Sequence, residues 1–118
     1  MANTLVWVDI PVTNLDRAIK FYSAVLGSPV TKNEYPGMTI GMLPGSDPEV
    51  TGCLSTADNP SKDGPLLYFN CDGRIDAAVA AVVPNGGKVI EPSKKIGPYG
   101  FRAVILDSEG NRVALHSH

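Results

Sequence analysis

The stretch LVWVDIPVTNLDRAIKFYSAVLG, residues 5–27, changes its hydrophobic period once, and that change decides the fold. Over residues 5–12, Trp7 and Asp9 fall on one face of an extended chain and Val8 and Ile10 on the other, which predicts a strand. Thr13-Asn14-Leu15-Asp16 supplies a capping-box pattern, and Leu15, Ala18, Ile19, Tyr22, Val25 and Leu26 recur at helical spacing until Gly27 and Pro29 stop the helix. Three short β-like stretches follow at residues 29–34, 38–43 and 50–56. They are separated by Tyr35-Pro36-Gly37 and by Pro44-Gly45-Ser46-Asp47-Pro48. The order is β-α-β-β-β.

After a polar stretch at residues 57–64 the same order begins again. PLLYFNC, residues 65–71, reads as a strand, and a helix runs from Ile75 to Val83 until Pro84 and Gly86-Gly87 end it. Strands are expected at residues 88–91, 101–106 and 112–117, with Asp107-Ser108-Glu109-Gly110-Asn111 as the last turn. Gly110-Asn111 reads as a tight turn signal and nothing more. Leu15-Asp16-Arg17-Ala18-Ile19 lines up with Ile75-Asp76-Ala77-Ala78-Val79, and Pro36-Gly37-Met38 with Tyr99-Gly100-Phe101. The chain is therefore a single α+β domain over residues 1–118, built from tandem βαβββ modules at about 1–57 and 65–118. One module cannot bury both faces of its strands, so the two are expected to share a curved mixed sheet of about eight strands around a cleft, with the helices on the convex side.

Composition narrows the function. The 118 residues carry 10 basic and 12 acidic side chains and are 43% hydrophobic, an ordinary globular balance. At this size about two-thirds of the chain's surface can be buried without disulfides or metal. No run of like charge exceeds Lys94-Lys95, so nucleic acid is not an expected partner. The longest apolar run, residues 77–83, is too short to cross a bilayer, and Met1-Ala2-Asn3-Thr4 has no signal character. A soluble cytoplasmic protein is expected. Cys53 and Cys71 match no CxxC spacing and read as free thiols used as small core residues.

The runs WVDIPVTNLDRAIKFYSAVLG, YFNCDGRIDAAVAAVVPNGGKVIEPSKKIGPYGF and LDSEGNRVALHS resemble the vicinal oxygen chelate superfamily, which groups glyoxalase I, bleomycin-resistance proteins and extradiol dioxygenases. The match spans nearly the whole chain and is closest to small glyoxalase-like proteins ending in GNR-x-x-LHS. The resemblance implies paired modules around a cleft, commonly a divalent metal held by His and Glu from both modules, and often a homodimer. At the implied ligand positions this chain has Trp7, Leu66, Ala114 and Cys53. Three of these lack a lone pair suited to a divalent ion, and one thiol cannot replace them, so no metal and no other cofactor is expected there.

Strand alternation supplies the other candidates. Asp9 faces the expected cleft, where burial would raise its pKa and make it a proton acceptor; the plainer reading is a surface carboxylate paired with a base. His116 lies two residues beyond Ala114 on the same face and is the second catalytic candidate. His116 and His118 could also share a metal, although a terminal His118 is expected to fray. Trp7 and Tyr68 either line the cleft as stacking walls or plug it. Asn70 could orient a ligand carbonyl or cap the next turn. Cys53, Ala114 and Tyr99 complete the expected ligand-binding set. Residues 93–100 read as a flap whose Lys94 and Lys95 could meet an anionic substrate.

The favoured expectation is a small-molecule-binding protein of the glyoxalase/bleomycin-resistance kind that works without the usual metal, with Trp7 and Tyr68 as stacking surfaces and Asp9 and His116 as anchors. The alternative is a lyase or isomerase of the lactoylglutathione-lyase type, moving protons on a small carbonyl compound through Asp9 and His116. A third reading fills the cleft and leaves only dimer contacts or regulation.

Overall fold

The computed structural model describes residues 4–45, 51–57 and 59–118. Val50 and the Ser46-Asp47-Pro48 part of the expected turn lie outside them. In the first module β1 (Trp7–Val12) leads into α1 (Leu15–Leu26), then β2 (Thr31–Tyr35), β3 (Met38–Met42) and β4 (Thr51–Thr56). The second repeats the order with β5 (Leu67–Asn70), α2 (Ile75–Val82), β6 (Lys88–Lys95), β7 (Phe101–Leu106) and β8 (Arg112–Ser117). The wiring is also repeated. The sheets run β1-β4-β3-β2 and β5-β8-β7-β6, with the first pair of each parallel and the others antiparallel. The eight strands are thus hydrogen-bonded as two four-stranded sheets. Their edge strands β1 and β5 border a shared cavity, lined by Val8 on one side and by Leu67 and Phe69 on the other.

Helix α1 starts one residue later than the capping-box pattern suggests. Asn14 is the cap, its side-chain oxygen accepting from the Arg17 N–H at 3.0 Å. Thr13 is engaged elsewhere: its N–H and hydroxyl both donate to Glu109 of the second module, at 3.0 and 2.9 Å. Gly27 closes the helix at φ 67°, where a side chain would be strained and would collide with the Arg74 guanidinium. Helix α2 ends at Val82, one residue before the expected Val83, because Pro84 sits in the 3-10 turn Val83–Asn85.

The expected flap begins as strand and continues outside the sheet. β6 runs on to Lys95, with Lys94 opposite Arg102 and Lys95 opposite Phe101, leaving Ile96, the 3-10 turn Gly97–Tyr99 and Gly100 outside the sheet. Register shifts between Val89 and Glu91 and between Glu91 and Lys94 let β6 continue past the residues where alternation in the sequence breaks down. Lys94 lies 3.8 Å from Glu91, a weak exposed ion pair.

One core serves both modules. The alternate residues Ile10 and Val12 of β1, Ile105 of β7 and Val113 and Leu115 of β8 meet Phe21, Tyr22 and Val25 of α1 and Ala78 and Val82 of α2. Phe21 and Tyr22 pack edge-on at 5.1 Å, and Tyr22 reaches Phe69 at 5.4 Å. Each such buried side chain contributes about 1.5–3 kcal/mol. The helices therefore cover one face of each sheet and leave the other face open.

The β7–β8 turn does more than reverse the chain. Asp107 is buried and accepts from the Tyr22 hydroxyl at 2.6 Å and from the Glu109 and Asn111 N–H groups at 2.8 and 2.9 Å. Asn111 donates to the Pro11 carbonyl at 2.7 Å and accepts from the Ser61 N–H at 2.9 Å. Glu109 accepts from Thr13, the Asn14 N–H, Ser108 and Arg17. Burial alone would raise its pKa, but these donors, Arg17 foremost, hold it down at about 2. The turn clasps the modules together. No helix among the described residues is long and apolar enough to cross a membrane.

Candidate functional site

The site follows from which residues share the open faces. On the first sheet the cross-strand partners Asp9, Cys53, Met42 and Thr31 form one row, and Trp7 lies beside them. On the second sheet Asn70, His116, Arg102 and Lys94 form a row, and Tyr68, Ala114, Val104 and Glu91 the next. The first face is mainly apolar, while the second carries charge and imidazole.

Between β1 and β5 opens a cavity of about 850 Å³, lined by Trp7 and Tyr68 with Leu26, Leu43, Asn70 and Asp72. Its volume is in the range of small-molecule sites. Trp7 is 46% exposed and Tyr68 51%, so both rings line the space and neither plugs it. Each is held by a polar neighbour. The Trp7 indole N–H donates to Asp9 Oδ1 at 2.9 Å, and Arg102 Nη1 donates to the Tyr68 hydroxyl at 2.9 Å. That hydrogen bond, followed by the electrostatic pull of the phenol oxygen and of the Glu91 carboxylate, raises the Arg102 pKa above its ordinary value.

Asp9 is exposed, so the burial expected to make it a base is absent. It lines a neighbouring cavity of about 220 Å³ together with Asn111 and Arg112, and it accepts from the Cys53 thiol at 3.2 Å. Cys53 itself is buried, and burial followed by the nearby Asp9 carboxylate pushes its thiol up to about 11. Ala114 is buried in the sheet. Asn70 caps the turn after β5, its side chain accepting from the Asp72 N–H at 2.9 Å, while also lining the larger cavity.

His116 meets Tyr99 by way of the backbone: its Nε2 lies 2.6 Å from the Tyr99 carbonyl. The Tyr99 ring is exposed and lines neither cavity. The Tyr68 ring lies 6.5 Å from the His116 ring. Asp9 and His116, paired by sequence reasoning, share no hydrogen bond and line no common cavity. Sequence reasoning missed Arg102, Asp72, Leu26 and Leu43. Arg102 was within reach: pairing Leu106 with Arg112 across the Asp107–Asn111 turn sets Arg102 opposite His116.

The positions implied to hold a divalent ion do not fit one. The Trp7 nitrogen donates to Asp9 and has no lone pair to offer, Leu66 and Ala114 have no donor, and Cys53 is a protonated thiol at neutral pH.

Residues 4–115 match the model of the Glyoxalase/Bleomycin resistance protein/Dioxygenase superfamily. A putative glyoxylase of Mycobacterium tuberculosis is 32% identical over 117 residues, covering 92% of this chain and 43% of the relative. The chain thus spans under half the length of that relative. A glyoxalase/bleomycin resistance protein from Albidiferax ferrireducens superposes with a TM-score of 0.81 at 24% identity, covering 98% of this chain and all of that one. An antibiotic-binding protein from a Streptomyces species gives 0.66 at 22% identity, covering 99% and 98%. With its tandem βαβββ modules and a family model matched almost end to end, the chain belongs to the Glyoxalase/Bleomycin resistance protein/Dioxygenase superfamily.

Proposed function

We propose that the chain binds a planar or apolar small molecule in the cavity between β1 and β5, stacked on Trp7 and Tyr68, with no divalent ion at the positions occupied by Trp7, Leu66, Cys53 and Ala114. One observation carries this reading: two half-exposed aromatic rings, each braced by a polar neighbour, line a single open cavity of about 850 Å³. A rigid, braced ring loses little freedom when a ligand stacks on it. Asn70 at the same wall supplies an amide for a ligand carbonyl. Sequestration of the bleomycin-resistance kind needs no more than this. Exposed Trp7, Tyr35 and Met38 on the first sheet also suit a homodimer contact. Two unpaired, buried cysteines suit the reducing cytoplasm.

Trp7 is the chain's single tryptophan, so its fluorescence reports the site directly. Titration with anilinonaphthalene sulfonate is expected to quench Trp7 saturably, and Tyr68→Ala to weaken binding about tenfold, a loss of about 1.4 kcal/mol. The probe's own emission reads Trp7→Ala in the same way. Unchanged affinity in both variants would sink the proposal, and binding that collapses in a chelating buffer would move it to a metal-dependent site.

The lyase or isomerase reading draws on the likeness to the mycobacterial putative glyoxylase. It needs Asp9 and His116 to act on one substrate, and in a single chain they lie on different sheets. Retained turnover of a small 2-oxoaldehyde thiohemiacetal in the Asp9→Asn, His116→Ala double variant would eliminate it.

A further inference from the structure

Where β8 ends against the turn after β5, three side chains converge that the ligand cavity does not require. One ligand atom from each of Asp72, His116 and His118 lies within 4.8 Å of the others. We infer that these residues form a binding site for a divalent first-row transition-metal ion of the zinc type, separate from Trp7, Leu66, Cys53 and Ala114.

Four features support it. First, His118 directly follows β8 and its ring stands edge-on to that of His116, with centroids 5.0 Å apart. Second, His116 Nε2 lies 2.6 Å from a carbonyl oxygen, which has no proton to give, so Nε2 carries the hydrogen and donates it. The Nδ1 lone pair is left free, and a ring N–H donated to a backbone carbonyl is the usual brace of a metal-ligating histidine.

Third, the chain end is anchored, against the fraying expected of His118. The His118 N–H donates to Asp72 Oδ1 at 2.9 Å, the Gly73 N–H to the Ser117 hydroxyl at 3.1 Å, and the Cys71 N–H to the His116 carbonyl at 2.7 Å. Three bonds thus fix the turn that carries Asp72 against His116 and the residues that follow it at the end of β8. Fourth, donors about 2.1 Å from an ion lie at most about 4.2 Å apart, so closure from 4.8 Å asks for side-chain movement of under about 1 Å.

Two imidazoles and one carboxylate select zinc, nickel, cobalt or copper over magnesium and calcium, which prefer all-oxygen shells. Three protein donors leave coordination positions open to water. Asp72 also lines the larger cavity, so the two sites share a residue.

The test is zinc titration of the full chain against a chromophoric competitor, with imidazole proton resonances followed in parallel. One zinc per chain is expected, shifting the resonances of both histidines. Asp72→Asn and His116→Ala are each expected to weaken binding at least tenfold, while Trp7→Ala leaves it unchanged. The unaltered protein decides even if a variant fails to fold, since zinc that leaves both imidazole resonances in place overturns the site. Parent-like affinity in Asp72→Asn also overturns it, as does a cobalt complex with a thiolate charge-transfer band, which would locate the ion at a cysteine. Loss of anilinonaphthalene sulfonate binding in Tyr68→Ala bears on the stacking cavity alone, so the two proposals fail separately.

Discussion

The two modules repeat one wiring diagram, yet their helices are closed off in different ways. Helix α1 is 12 residues long, with Asn14 at its start and Gly27 at its end. The second module also reaches both ends of it: the Glu109 carboxylate accepts from N–H groups at its start, and Arg74 Nη1 donates to the Val25 carbonyl in its last turn at 2.6 Å. The signs match the helix dipole, anion at the N-terminus and cation at the C-terminus. Helix α2 is 8 residues long, has no side-chain cap bond at Arg74 and is held by its apolar packing. Among the described residues no charged group of the first module performs the reciprocal service for α2. The open faces diverge likewise. The first offers Trp7, Met42 and Cys53 with one carboxylate, Asp9, while the second adds Asn70, His116, Arg102 and Lys94 to Tyr68, Ala114 and Val104. Duplication therefore left one copy to supply apolar wall and the other to supply polar groups and the clasp.

The strongest challenge to that asymmetry is Glu109→Ala, which strands the donors of Thr13, Asn14 and Arg17 at once. A loss of about 3 kcal/mol is expected in denaturant melts. Linkage gives the same claim a pH signature. The folded pKa of Glu109, about 2, lies below the unfolded value near 4.5, so its contribution is complete above pH 4.5 and fades as pH falls toward 2. Glu109→Gln should flatten that part of the stability profile; an unchanged profile would remove Glu109 from the clasp.

Next comes Tyr22→Phe, which deletes the buried bond to Asp107 and keeps the ring, at an expected cost of about 2 kcal/mol. Arg74→Ala should cost about 1 kcal/mol, through the C-terminal turn of α1. If it costs nothing, the grip is one-ended. The smallest effect is expected at Cys53. With its thiol pushed up to about 11 mainly by burial, iodoacetamide should label it far more slowly in the native protein than in urea, and Asp9→Asn should change the native rate by only about twofold. A large change would make the carboxylate, and not burial, the dominant cause.

Module order, both helices and most strands were legible because alternation and helical spacing are local signals. The strand pairs at residues 101–106 and 112–117 were read to the residue, since Asp107-Ser108-Glu109-Gly110-Asn111 marks their hairpin unambiguously. What escaped was non-local. Nothing near Thr13 announces that its hydroxyl belongs to Glu109, 96 positions away, and Gly110-Asn111 read alone is only a turn. The length of β6 was hidden by register shifts that break the alternation on which the reading depends. At the site, Trp7 and Tyr68 were found because their strand faces follow from parity. The exposure of Asp9 depends on how two sheets are set against each other, and the convergence of Asp72 with the histidines on the pairing of β5 with β8; neither is encoded in a single strand.

The clasp at residues 107–111 also constrains the order of events during synthesis. A nascent chain leaving the ribosome makes α1 early, but the carboxylate that closes its first turn lies 95 residues further along and emerges much later. Until then the part of α1 that meets α2 has no partner, although β3 and β4 of its own module can already cover the rest. Its commitment must await the second module, and a slow passage through that half-made stage is where chaperone dependence and aggregation would concentrate.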